Sequence, residues 1–139
     1  MKKIISSAIL CTLFLFAFQA KAQFQEYNWK DFKVSFSIPA THEIKASSAT
    51  EFESGDNLTW LQMYPYKDET ETAKGMILKV ADEADVDILK EGAYKVGGYD
   101  AYWITCETAK EPEWQFWYIG LIDPKSDVNF YAIIWFKKN

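Results

Sequence analysis

The C-terminal part of this chain contains two segments that are apolar or aromatic at both odd and even positions. They run from Trp114 to Ile122 and from Val128 to Phe136, and a turn at Asp123 to Asp127 separates them. Pro124 and the flanking aspartates are typical of a tight connection, so the segments predict an antiparallel hairpin. A strand that is apolar on one face alone can leave its other face to water. A hairpin that is apolar on both faces needs both of them covered.

Alternate side chains of a strand point to opposite faces, which divides the hairpin into two sets. We expect the set without tryptophan to face the core: Phe116, Tyr118, Ile122, Phe130, Ala132, Ile134 and Phe136. The other set predicts a candidate binding face, with Trp117, Tyr131 and Trp135 as anchors and Gln115 and Asn129 as polar contacts. Three kinds of cover remain open for that face: the protein's own N-terminal segment and curled sheet, a second protein chain, or a small ligand.

One amphipathic helix is predicted between the two halves of the chain. We expect it to begin near Asp68, with Glu71 completing a capping box. Its apolar positions follow the helical spacing i, i+3, i+4, i+7: Ala73, Met76, Ile77, Val80, Ala81 and Ala84. A single helix of this kind can cover only one face of a sheet.

The remaining strands follow from alternation and turn residues. Residues 32–38 alternate apolar and polar side chains up to Pro39, and shorter strands are expected at 50–53 and 58–64, the last ending before Pro65. Residues 93–96 and 99–105 flank Gly97 and Gly98 as a hairpin. The order β-β-β-α-β-β-β predicts an α+β fold: a single antiparallel sheet of about six strands with one amphipathic helix packed on one face.

The first 22 residues have the pattern of a secretory signal peptide. Lys2 and Lys3 precede a short apolar run, and Ala20 and Ala22 provide the small residues that signal peptidase recognises. We expect cleavage after Ala22, export to the periplasm or beyond the cell, and a single α+β domain over residues 23–139. That mature chain would carry no membrane anchor.

The charge of the chain limits the kinds of molecule it is expected to bind, and its cysteine content limits disulfide formation. The chain contains no arginine, and residues 23–139 carry twelve lysines against twenty acidic residues, a formal charge of −8. Nucleic acid is therefore excluded as an expected partner. Cys106 is the only cysteine after residue 22, so no internal disulfide can form there, and its apolar strand predicts a small buried side chain.

No arrangement of residues along the chain indicates catalysis, a metal or a cofactor. His42 is the only histidine, and its polar surroundings predict an ordinary surface residue. The acidic run from Asp82 to Asp87 lacks the spacing of a calcium loop and predicts a solvated helix end. Carboxylates paired only by folding, as in a glycoside hydrolase, remain a third possibility.

Three segments resemble small exported proteins with a PsbP/Mog1-like fold. They are Phe32 to Pro39 (FKVSFSIP), Gly98 to Tyr102 (GYDAY) and Phe130 to Phe136 (FYAIIWF). The resemblance implies an antiparallel sheet with a helix and a non-enzymatic accessory or binding role. The chain departs from the pattern because no helix is evident after the last strand.

The sequence thus predicts an exported binding module. The leading hypothesis is association with a protein partner or a second copy of the chain through the aromatic face. The alternative is a small, glycan-like ligand.

Overall fold

The computed structural model describes residues 23–67, 72–126 and 128–139, so the predicted signal peptide lies outside the described residues. The chain divides into two compact units, one ending at His42 and one running from Glu43 to Asn139. Within the described residues they contain nine strands and one helix. The α+β class is confirmed.

The first unit contains a two-stranded antiparallel sheet of β1 (Phe24–Trp29) and β2 (Val34–Pro39). The connecting turn passes through Lys33 at φ 55°. Trp29 packs edge-on against Phe32, with ring centroids 4.6 Å apart. The sequence prediction missed β1 because most of its side chains are exposed and show no clear apolar alternation.

The second unit contains a seven-stranded antiparallel sheet and the helix. The strand order across this sheet is β3-β4-β5-β9-β8-β7-β6. Its strands are β3 (Glu43–Ser47), β4 (Phe52–Gly55), β5 (Thr59–Tyr66), β6 (Asp87–Val96), β7 (Tyr99–Glu107), β8 (Trp114–Ile122) and β9 (Asn129–Lys137). The prediction of a single sheet of about six strands is therefore wrong, because the 32–38 segment pairs with β1 in a sheet of its own.

Strand β5 also runs further than predicted, through Pro65 to Tyr66. Its neighbour β4 pairs only with residues Trp60 to Met63, so at Pro65 the pairing is with Phe130 of β9 alone. Proline is tolerated where one side of a strand has no ladder to complete. The rule that ends a strand at proline therefore fails here.

Helix α1 (Ala73–Ala84) packs mainly on β7 and β8. Thr72 caps it, its side chain accepting a hydrogen bond from the backbone N–H of Gly75 at 3.0 Å, and the proposed capping residues Asp68 and Glu71 lie outside the described residues. The predicted apolar stripe is confirmed, with Ala73, Met76, Ile77 and Ala81 buried. Gly120 of β8 allows the close approach, since a β-carbon there would lie 2.9 Å from Ile77 Cγ1.

Candidate ligand-binding site

The pairing of β8 with β9 separates the residues of the predicted aromatic face. Trp117 lies opposite Ile134 and Phe116 lies opposite Trp135, so even positions of β8 share a face with odd positions of β9. Trp117 and Gln115 consequently lie on the sheet face away from α1. Tyr131, Trp135 and Asn129 lie on the face that packs against α1, and the predicted grouping is wrong.

On the face away from the helix, Trp117 belongs to a small cluster with Trp103 and Phe136, which we call the far-face cluster. Its ring stacks on Trp103 at 5.2 Å and meets Phe136 edge-on at 6.3 Å. Trp117 and Phe136 are each 37% exposed. Gln115 lies opposite Phe136 in the ladder and is half-buried.

On the helix side, Asn129 and Tyr131 have different surroundings. Asn129 is 3% exposed, and its Oδ1 accepts the backbone N–H of Asp123 at 2.8 Å, so its amide holds the turn before β9 rather than a ligand. Tyr131 stacks on Tyr64 of β5 with centroids 5.1 Å apart. Burial, followed by the charge of Glu83, raises the pKa of Tyr131.

Trp135 is the predicted residue that does line a pocket. A cavity of about 290 Å³ lies on the helix side of the sheet, and all five lining side chains are half-buried. We call it the tryptophan pocket; its lining residues are Glu53, Trp60, Gln62, Trp114 and Trp135. The rings of Trp114 and Trp135 lie 5.9 Å apart at 77°, so two walls of the pocket meet almost at a right angle.

Hydrogen bonds within the sheet fix two of the three indoles. The N–H of Trp60 donates to Oε1 of Glu53 at 2.7 Å, and the N–H of Trp135 donates to Oε1 of Gln62 at 3.1 Å. Trp60 lies over Gly55, its partner on β4, where a β-carbon would overlap the six-membered ring. Trp135 also packs on Phe116 at 4.8 Å, which joins the pocket to the core beneath α1.

The surroundings of the pocket are acidic. Burial, then the charges of Tyr131, Glu51 and Glu53, raise the pKa of Tyr64, which follows Gln62 on the same face of β5. A second carboxylate interaction joins β6 to β7 on the helix side of the sheet, where the Tyr102 hydroxyl donates to Glu91 at 2.6 Å. That bond, together with burial, raises the pKa of Tyr102 to about 12.

Other residues considered from the sequence have structural roles. Cys106 is buried in the core under α1, and desolvation raises the pKa of its thiol to about 12. His42 is only 5% exposed, which corrects the surface assignment; its backbone N–H donates to Pro39 O and its carbonyl accepts from Gln25. In the acidic run, Asp85 takes the left-handed cap position that ends α1.

In the part of the chain that the structure describes, no three or more His, Cys, Asp or Glu side chains are grouped so that they could hold a metal ion. Helices with the length and apolar character needed to span a bilayer are also absent from the described ranges.

Sequence reasoning missed Glu53, Trp60, Gln62 and Trp114 as site residues. Trp60 and Gln62 alternate with Leu61 and Met63 in β5, which places the first pair on one face, but their partner strand β9 could not be identified from the sequence. The aromatic content of 17% was the available signal, and it indicated no location.

An antiparallel sheet with a single described helix on one face defines an α+β fold, and solved structures of Mog1 resemble it. The crystal structure of the Ran-binding protein Mog1p of Saccharomyces cerevisiae matches this chain with a TM-score of 0.61 at 9% identity, covering 86% of this chain and 79% of that one. A mutant of the protein Mog1 matches with a TM-score of 0.59 at 9% identity, covering 84% and 78%. At such identities the likeness concerns the fold, and it confirms the resemblance found in the sequence. No protein-family model and no curated protein matches the chain.

Proposed function

We propose that this chain is an exported binding protein and that the tryptophan pocket receives its ligand. One observation supports this most directly: three indoles, a carboxylate and an amide line a single cavity of about 290 Å³. Ligand sites are typically concave and apolar with a few placed polar groups, and their volumes start near ~300 Å³. A small ligand, or one protruding group of a larger molecule, suits this volume.

Binding without catalysis is the role that the pocket lining favours. Glycoside hydrolysis in its usual form needs two carboxyl groups roughly 5 to 9.5 Å apart. The pocket lining, all of it within the described residues, contains the single carboxylate of Glu53. A hydrolase is therefore the weaker proposal for this site.

Export is proposed from the N-terminal sequence. Paired lysines, a short apolar run and small residues at positions 20 and 22 support cleavage after Ala22. Mass spectrometry of the protein recovered from its host should find a mature chain that begins at Gln23. Recovery of the chain with residues 1–22 attached would contradict export by this route.

The binding proposal can be tested by nuclear magnetic resonance of the six indole N–H groups. Substitution of each tryptophan by phenylalanine assigns the signals, and a panel of neutral sugars, amino acids and organic cations supplies ligands. We expect a ligand to shift the signals of Trp60, Trp114 and Trp135 saturably and to leave Trp103 and Trp117 unchanged. A panel without any effect on the three pocket signals would count against the proposal.

A second candidate function is association with a protein through the far-face cluster. The exposed faces of Trp117 and Phe136 favour it, because aromatic residues dominate interface centres. The similar yeast protein Mog1p is a Ran-binding protein, which supports a protein partner for a protein of this fold. Light scattering of the purified protein, with and without Trp117→Ala, tests self-association. Unfolding by this substitution would show that Trp117 is a core residue instead.

A further inference from the structure

The tryptophan pocket holds a carboxylate, Glu53, that forms no ion pair with a lysine among the residues that the structure describes. The Glu53 carboxylate accepts the Trp60 N–H, whereas the ion pairs formed by Lys45, Lys95, Lys110 and Lys138 all involve other acids. The pocket lining contains no lysine. A half-buried carboxylate in such a place can be matched by a cationic ligand.

The three indoles add a second attraction for positive charge. Tryptophan has the strongest cation–π interaction of the aromatic side chains. Trp114 and Trp135 present rings at 77° to each other, and Trp60 is held over Gly55 by its bond to Glu53. Rings fixed in different planes can contact one compact cation from more than one side.

The hydrogen-bonding capacity of the pocket distinguishes between kinds of cation. A primary ammonium has three N–H donors to satisfy. Of the three side-chain oxygens in the pocket lining, Glu53 Oε1 and Gln62 Oε1 already accept indole N–H groups. Glu53 Oε2 is then the one lining oxygen without an indole donor, against the three donors of a primary ammonium. A methylated ammonium donates few or no hydrogen bonds and presents apolar methyl groups to the rings.

We propose that the tryptophan pocket binds a small methylated ammonium group, with the indoles against its methyl groups and Glu53 as the counter-charge. This inference rests on the proposed function, because it names the ligand class of the same pocket. After burial and Tyr131, the charges of Glu51 and Glu53 also raise the pKa of the neighbouring Tyr64 hydroxyl, so two carboxylates lie near this end of β5. The acidic character of the chain, with a net charge of −5, attracts cations over a longer range.

The experiment compares choline with 3,3-dimethyl-1-butanol, which replaces the quaternary nitrogen by carbon at nearly the same shape. Indole N–H signals are followed during titration of the purified protein. We expect choline to shift the Trp60, Trp114 and Trp135 signals and to bind about tenfold more tightly than the neutral compound.

Glu53→Gln removes the charge while keeping an oxygen for the Trp60 N–H. We expect it to weaken choline binding about tenfold and to leave the neutral compound unaffected. Asp87→Asn, on the edge strand β6 at the other end of the sheet, removes the same charge and serves as the control. Sedimentation with phosphatidylcholine vesicles then separates a lipid headgroup from a free small molecule as the source of the group.

Equal binding of choline and its neutral isostere, or undiminished choline binding by Glu53→Gln, would overturn the inference. Neutral sugars that shift the three pocket signals where choline does not would also overturn it, while leaving the proposed binding function in place. If none of the panel shifts those signals, both proposals fail.

Discussion

The indole N–H of Trp60 and the carboxylate of Glu53 form a 2.7 Å hydrogen bond between neighbouring strands of the sheet. Trp60 also lies over Gly55, which has no side chain. The hydrogen bond therefore fixes the ring on one side, and the backbone of Gly55 fixes it on the other. Side chains held in their bound orientation lose less entropy when a ligand binds. The pocket is therefore largely formed before any ligand arrives.

Gly55→Ala should displace the Trp60 ring, because the new β-carbon would overlap its six-membered part. We expect the fold to persist, since Trp60 is half-buried, and ligand binding in the tryptophan pocket to weaken by several-fold. Titration of the indole signals measures the effect.

Gly92→Ala is the matched control for that substitution. A β-carbon at Gly92 would lie 2.8 Å from Trp103, on the face away from the pocket. It should disturb the far-face cluster and leave pocket binding unchanged. Equal losses from both substitutions would mean that general destabilisation, and not the Trp60 ring, caused the effect.

Ile77→Ala should be strongly destabilising. Ile77 is fully buried in the core cluster between α1 and the sheet. Removing its methyl and methylene groups there costs about 2–5 kcal/mol of the free energy of unfolding. Urea denaturation measures this, and Lys79→Ala on the exposed side of the helix should cost far less.

The Tyr102–Glu91 hydrogen bond should make stability depend on alkaline pH. The pKa of Tyr102 is about 12 in the folded protein, against roughly 10 for an ordinary tyrosine. Its stabilising contribution is complete below pH ~10 and is lost as the pH rises toward 12, because the unfolded chain gives up the proton first. Urea denaturation at pH 8 and pH 11 should show a steeper decline for the natural protein than for Tyr102→Phe.

The Cys106 thiol should be unreactive in the native protein. It is fully buried, and desolvation raises its pKa to about 12, so the nucleophilic thiolate is scarce at pH 8. A disulfide reagent such as Ellman's should label it only after denaturant is added. Rapid labelling of the folded protein would show that the core beneath α1 opens readily.

The amphipathic helix and the C-terminal hairpin could be predicted because their apolar residues recur with a clear period. Which side chains of that hairpin share a face could not be predicted, because this depends on a one-residue difference in the pairing register. Phe116 pairs with Trp135 and Leu121 with Phe130, so even positions of β8 lie opposite odd positions of β9. A shift of one residue moves every side chain of a strand to the other face.

Strands β1, β3 and most of β6 were missed for a different reason. Their side chains are largely exposed, so apolar alternation does not mark them. Backbone pairing with a neighbour defines these strands, and that neighbour is visible only once the sheet is assembled. The pocket residues of β4 and β5 depend on the same long-range pairing.

The pairing of β5 with β9 also affects how the protein folds during its synthesis. Trp135 and Gln62, which share a hydrogen bond across this pair, are 73 positions apart in the chain. Contacts of such separation slow folding, because the loop must close before they stabilise anything. We expect synthesis of the whole chain to precede closure of the sheet, so a product truncated before β9 would expose β5 and β8 as unpaired edges. Cellular quality control that recognises unpaired strand edges would then distinguish chains that have the nine residues of β9 from chains that lack them.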